Sequence, residues 1–482
     1  VQTKKLLGST LALGMLFPAI AQAELVKGLK FGGQFDLQST SGRNVTDFAT
    51  RPQGANANND RIGDAQTRIM LHADWDLLDD VHAKVTLRKN DRTWGTTGGT
   101  AQGPVSKSQA LEPTGGTDVL GNIFVDQAYI KIDKVFGAVD ATMGRQFWGT
   151  SGDMVAYWGP SDKAAYGLWV TAVDALRADW SNDMIGLTGL AGKTVGHAVG
   201  VAGVADVDVR NLTASLKGHE NMGLSAYVWN QVTHNIGGLG TPASAASAGG
   251  KNDNLWVVGA KGKVSMGMAW LTGEFAKNFG ENRAQNAADQ GPASKSYTGW
   301  AGKVDLGAKV ETPIGGVAPW AHVGYGSGDG SPNDGNNSAF TAISPDYRPG
   351  SIYGRFAVAP TAGAATLASG VTGAGVASNS LSNRAIWGVG IKTTPTAMNK
   401  LTAGISYWDY KFAARPGGAA TGLKHIGSEA DLDLQWAHSE NVTLGAGVGQ
   451  FWSGGYLTAL NSAAGQPNNP AQLAYFDVRV KF

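Results

Sequence analysis

The side chains most able to do chemistry in this sequence are charged residues set between apolar neighbours. Arg68, Arg88, Arg145, Arg177, Arg384 and Arg479, with Asp179, Glu429, Asp431 and Asp433, lie in stretches where apolar residues recur at every second position. In an extended chain that period puts the charges on one face and the apolar groups on the other. Guanidinium and carboxylate rows facing one another across a lumen make and break no bonds. They create a transverse field that favours polar, hydrated solutes, which makes these residues pore-lining candidates. The plainer alternative is that each charge pairs across neighbouring strands and keeps the wall wetted. A second set, Asp153, Tyr157, Trp158, Asp162 and Lys163, falls between Gly149 and Leu168. Its mixture of rings and charges suits a constriction or sugar-stacking loop, and equally a capping surface loop.

Bond-making chemistry finds no comparable pattern. The eight histidines show no HExxH or other metal-ligand spacing, and neither a GxSxG elbow nor a phosphate loop is present. No catalytic residue, cofactor or metal is assigned. The run from Asp329 to Asp334 is acidic and glycine-rich enough to raise calcium, but it lacks EF-hand spacing and the terminal glutamate. Two competing classes stay open: an outer-membrane barrel hydrolase assembled from loop ends, and a secreted soluble glycan-binding β-protein with a polar exterior.

The elements that must carry these residues are strands of about ten residues, the length and alternation of a barrel strand with lipid on one side and water on the other. Ile69, Leu71, Ala73, Trp75 and Leu77 alternate with Arg68, Met70, His72, Asp74 and Asp76. Val81, Ala83, Val85 and Leu87 alternate with His82, Lys84, Thr86 and Arg88, and Ile426, Ala430, Leu432, Leu434 and Trp436 with Glu429, Asp431, Asp433 and Gln435. Short turns are expected at 78–80, 134–137, 181–183, around Glu220, and at 264–266, 312–315, 395–399 and 438–441. Long Gly, Ala, Ser and Asn segments lie between them, notably 231–253, 278–298, 326–383 and 453–471. This reading gives an all-β transmembrane antiparallel barrel of about 18 strands, with 16 as the alternative because 184–217 is weakly patterned.

The ends of the chain set the expected compartment. Lys4 and Lys5 precede an apolar run from Leu6 to Ala21 and the small-residue pattern Ala21-Gln22-Ala23, which reads as a signal peptide over 1–23 followed by a barrel over 24–482. Removing two of the 39 basic residues leaves 37 against 38 acidic, a formal charge of −1 in place of +1. A near-neutral chain without basic blocks argues against nucleic acid as a partner. The absence of cysteine excludes disulfides and thiolate metal sites. Phe476, Val478, Val480 and Phe482 alternate with Asp477, Arg479 and Lys481, and a final strand ending in Phe resembles the signal read by the barrel-assembly machinery. The expected location is the outer membrane of a Gram-negative bacterium, reached through the periplasm, with the lipid bilayer and small polar or oligosaccharide solutes as partners.

Several motifs carry a resemblance to a known family. Asp126-Gln-Ala-Tyr-Ile130 is followed by Gly144-Arg-Gln146, then Ser327-Gly-Asp-Gly330 with Phe340 and Ser344-Pro-Asp-Tyr347, then Gly427-Ser-Glu-Ala-Asp-Leu-Asp433. Together they resemble the alginate-export family of outer-membrane porins. The family often has Glu where this chain has Gln127, which removes one lumen charge the resemblance would otherwise carry over. What the resemblance implies is an eighteen-stranded, monomeric barrel with a selective, charge-lined lumen, a passive channel rather than an enzyme. A trimer is the alternative common among other porins.

Overall fold

The structure is a computed structural model. It describes residues 28–45, 48, 61–90, 123–161, 166–195, 206–234, 252–282, 294–331, 334–356, 379–415, 422–463 and 467–482. The expected signal segment, 1–23, lies outside these residues, as do Asp162 and Lys163.

The wall begins with β1 (Leu29–Arg43), β2 (Arg61–Leu78), β3 (Val81–Lys89), β4 (Phe124–Val135), β5 (Val139–Gln146) and β6 (Val173–Ser181). It continues through β7 (Ile185–Val195), β8 (Asp206–Leu216), β9 (Met222–His234), β10 (Asp253–Met266), β11 (Ala269–Asn282) and β12 (Trp300–Ala308). The last six are β13 (Gly315–Gly326), β14 (Arg384–Pro395), β15 (Leu401–Lys411), β16 (His425–Ala437), β17 (Val442–Ser453) and β18 (Ala471–Lys481). Three shorter pieces complete a sheet of 21: Lys295–Tyr297 and Val310–Thr312 prolong β12, and Asn336–Asn337 is a loop bridge, which leaves eighteen wall strands. Each strand pairs antiparallel with the next, and β18 pairs back onto β1 from Gln34↔Lys481 to Arg43↔Gln472, so the sheet closes. The weakly patterned 184–217 region supplies β7 and β8, which decides the count in favour of eighteen.

Closure follows from the solvent. A backbone N–H or C=O left unpaired in hydrocarbon costs several kcal/mol, so a sheet can span a bilayer only without edges. Short turns join the strands at one end and long connections at the other, as expected, although the β10–β11 turn falls at Gly267 and Met268 rather than at 264–266.

Side chains sort by parity. Leu71, Leu306, Val323 and Ile405 point outward and are 49, 51, 58 and 61% exposed, while Met70, Arg68 and Glu429, of opposite parity on their own strands, are buried. This apolar exterior contradicts the soluble glycan-binding alternative. Aromatic rings gather at the loop end of the outer face, where Trp300 stacks near Tyr325 at 4.9 Å and Phe275 at 6.0 Å, the girdle position of amphipathic rings at a membrane interface. Ile426 departs from the expected outward row. A register shift opposite Tyr410 and Lys411 turns it inward, where it is fully buried.

A charge placed on the outer face should therefore be costly. Val323→Arg should destabilise the folded barrel by roughly 2–4 kcal/mol in denaturant titrations of vesicle-inserted protein. Ser225→Arg, on the inner face, should cost much less.

Candidate functional site

An eighteen-stranded wall encloses more space than its own side chains fill. Two long connections occupy that space: residues 147–161 and 166–172, between β5 and β6, and the stretch from Ser338 to Phe356, between β13 and β14. The first bonds to Arg68 on β2 through the Ser161, Leu168 and Trp169 carbonyls, and also to β10, where Lys261 donates to Asp153 at 2.6 Å. β2 and β10 are eight strands apart in a ring of eighteen, so a segment touching both must cross the lumen. The second segment reaches β11, where Asn278 donates to the Thr341 carbonyl, then β13, β16, and finally β18, through Arg355 and Asp477 at 2.8 Å.

The two segments are zipped to each other. The Tyr157 N–H donates to the Ser344 carbonyl, the Ser344 hydroxyl donates to the Tyr157 carbonyl, and the Tyr166 N–H donates to the Arg355 carbonyl. Asp346 accepts from the Ser151 hydroxyl and the Gly152 N–H at 2.9 and 3.0 Å. Burial, and then the Asp64 carboxylate it donates to, raise the Tyr166 phenol above its usual range. Burial does the same for Tyr347, whose hydroxyl meets His322 at 2.6 Å. Both phenols thus stay protonated at any physiological pH.

Most of the charged candidates stand on the inner wall, where they hold these segments. Arg68 is fully buried and pairs with Asp36 at 2.6 Å, and Arg479 reaches the other oxygen of Asp36 at 2.6 Å. Removing one member of such a buried pair strands the other, at a cost of about 3–5 kcal/mol. Arg88 pairs with Asp126 at 2.9 Å and lies over the Phe124 ring. Arg384 donates to the Tyr353 hydroxyl at 2.8 Å and covers Phe412. Arg177 pairs with Asp179 at 2.7 Å and lies 5.2 Å from the Trp148 ring.

Glu429 and Asp431 grip the backbone of the second segment. Glu429 accepts from the N–H groups of Ile352 and Tyr353 at 2.6 and 3.0 Å and from the Tyr410 hydroxyl at 3.1 Å. Asp431 accepts from the Ser351 N–H, and Asp433 from the Ser351 and Tyr475 hydroxyls. Gly350 makes the approach possible: its φ is +78°, and a side chain there would collide with the Tyr410 hydroxyl and the Glu429 carboxylate.

Two expectations are corrected. Arg145 shares its parity on β5 with Met143, which is 46% exposed, and its partner Asp174 shares that of Leu176, so the 3.0 Å pair sits on the outer face. Tyr157 and Trp158 offer no open ring to a sugar: Tyr157 is buried with its hydroxyl on the Pro160 carbonyl, and Trp158 is buried against Trp229 at 5.7 Å. Asp36, Asp126, Asp477, Tyr353 and Arg355 were absent from the sequence-based set. Asp36, Asp126 and Asp477 carry the same alternation signal as their arginine partners, whereas Tyr353 and Arg355 lie in a segment without strand period. Among the described residues no cluster of His, Asp or Glu is arranged to hold a metal ion. His425 and Ser428 both bond Asp409, at 2.9 and 3.3 Å, so the serine has no histidine base there.

Two recesses flank the crossing segments. One, of about 410 Å³, is bordered by Arg348, Arg355, Lys392, Asp431, Asp433 and Trp408. The other, of about 390 Å³, is bordered by Arg177, Lys261, Asp153, Trp148, Tyr227 and Thr213.

No protein-family model and no curated protein sequence matches the chain. Solved structures do. OccK9 (OpdG) of Pseudomonas aeruginosa superposes with a TM-score of 0.54 at 10% identity, covering 95% of this chain and 99% of that one. OccK8 (OprE) of the same organism gives 0.52 at 10% identity over 95% and 99%, and OpdK, solved with vanillate, gives 0.51 at 8% identity over 94% and 98%. The chain has the eighteen-stranded barrel fold of these outer-membrane channels. That similarity is one of fold, and the alginate-export resemblance rests on its motifs alone.

If Glu429 anchors the crossing segment, Glu429→Ala removes three hydrogen bonds to one carboxylate, each worth roughly 1.5–3 kcal/mol. The barrel should still fold, with higher and noisier single-channel conductance and faster proteolysis between Ser344 and Phe356.

Proposed function

We propose that this protein is a passive channel for small polar or charged solutes in the outer membrane of a Gram-negative bacterium, inserted after export through the periplasm and removal of residues 1–23. The observation that carries the reading is the lumen itself. Two segments cross it, anchored by charged side chains of the wall, and leave recesses lined by ionic groups on either side. A purely structural barrel has no use for such recesses, and a barrel of the Occ type supports the same reading.

In this account Arg177, Asp179, Asp433 and Arg479 face the path of a solute, while Arg68, Arg88, Arg384, Glu429 and Asp431 hold the segments that narrow it. Asp153 ties the crossing segment to Lys261 on the opposite side of the wall from Arg68. The protein acts as a monomer in the lipid bilayer, recognised during assembly through the β18 strand, and performs no bond-making step. Passage of an anionic oligosaccharide, the cargo implied by the alginate-export resemblance, is the extended form of this proposal.

Refolded protein in a planar bilayer should give discrete conductance steps, with a reversal potential under a salt gradient that reports ion preference. Vanillate and uronate oligomers serve as blockers. Saturable block by vanillate alone supports a small-solute channel, and block by the uronates extends it to oligosaccharides. A correctly folded, heat-modifiable barrel without conductance would sink the proposal.

A further inference from the structure

The larger recess contains charges that the wall does not neutralise. Arg348 is paired with Asp346 at 2.9 Å and Arg355 with Asp477 at 2.8 Å, so those cations are matched. Lys392 is exposed on the inner face of β14 and has no ion pair or hydrogen bond among the described residues. Asp433, on β16, accepts from the Ser351 and Tyr475 hydroxyls but meets no cation; Asp431 above it is buried beside Glu429 and is taken up by the Ser351 N–H and the Ser406 hydroxyl.

The register places the unmatched charges opposite one another. Lys392 pairs with Gly404 on β15, and Gly404 pairs with Asp433 on β16. The lysine and the aspartate therefore stand in one cross-strand row with a glycine between them, roughly 10 Å apart at the usual interstrand spacing. Gly404 leaves the floor open, since a Cβ there would meet nothing nearer than Lys392 Cγ at 3.4 Å, with the Ile391 and Asp433 carbonyls at 3.8 and 4.0 Å. Trp320 and Trp408, whose rings are 5.2 Å apart, border the same recess and give it an apolar side.

We propose that this recess is a binding site for small zwitterions, solutes that carry an ammonium and a carboxylate in one molecule, with the carboxylate at Lys392 and the ammonium at Asp433. The proposal deepens the channel reading and rests on it for its transport role. A solute of either charge alone satisfies one end of the row and leaves the other unpaired. A zwitterion satisfies both without changing the net charge of the lumen.

The test is calorimetric titration of the detergent-folded barrel with L-glutamine, acetate and methylammonium, alongside conductance of the same preparation. Glutamine should bind saturably and the two single-charge probes much more weakly. Lys392→Met, which removes no bond within the protein, should weaken glutamine binding about tenfold, the effect of losing one charged hydrogen bond. Asp433→Asn should do the same, and Gly404→Val should block the recess in a barrel that remains heat-modifiable. Glutamine binding that is absent, no tighter than that of acetate, or unchanged in Lys392→Met overturns the site. Binding retained in a barrel that passes no current upholds the site and overturns the channel reading instead.

Discussion

Every backbone polar group of a membrane-spanning sheet must find its partner within the sheet, and the rest of this structure depends on that constraint. It forces β18 back onto β1. With eighteen strands the closed wall is too wide to be filled by its own side chains, so long connections must enter it or leave an open bore. A connection that enters carries its backbone into a confined space where unpaired groups cost free energy. The inner wall supplies the partners: the Arg68 guanidinium for three carbonyls, and the Glu429 carboxylate for two adjacent N–H groups.

The inner charges thus divide into two kinds. Those buried to the last few per cent, such as Arg68, Arg384 and Glu429, act as mortar between wall and segment. Those at the recesses, such as Lys392 and Asp433, keep contact with the lumen and can meet a solute. Net charge near zero hides this arrangement, because what a solute meets is the local imbalance left after the structural pairs have cancelled.

Parity explains how much of this was legible in sequence. Alternation at β2, β3 and β16 is strong enough to place Arg68, Arg88 and Glu429 on the face opposite Ile69, Leu87 and Leu432, and the spacing of turns supplies the strand count. Arg145 went astray because polarity outweighed phase: Val139, Ala141 and Met143 already mark the odd positions of β5 as its apolar row, and Arg145 continues that row at the strand's outer end. The crossing segments have no period to read. That 147–161 and 166–172 meet Ser338–Phe356 inside the barrel depends on contacts nearly 200 residues apart in sequence, such as Ser151 to Asp346, and Tyr157 and Trp158 are spent on that packing instead of facing solvent.

The most direct test of the account is a cross-link between wall and segment. The chain has no cysteine, so a pair introduced at Ile352 and Gly449 stands alone; a Cβ at Gly449 would lie 3.2 Å from Ile352 Cγ1, within reach of a disulfide once the Asp431 carboxylate, 2.7 Å from it, turns aside. In vesicle-inserted protein the account predicts rapid, complete disulfide formation under mild oxidation, with conductance kept close to that of the reduced form. A pair that stays reduced and reacts freely with a bulky maleimide added to the lumen would contradict it, because the segment would then not lie against the wall.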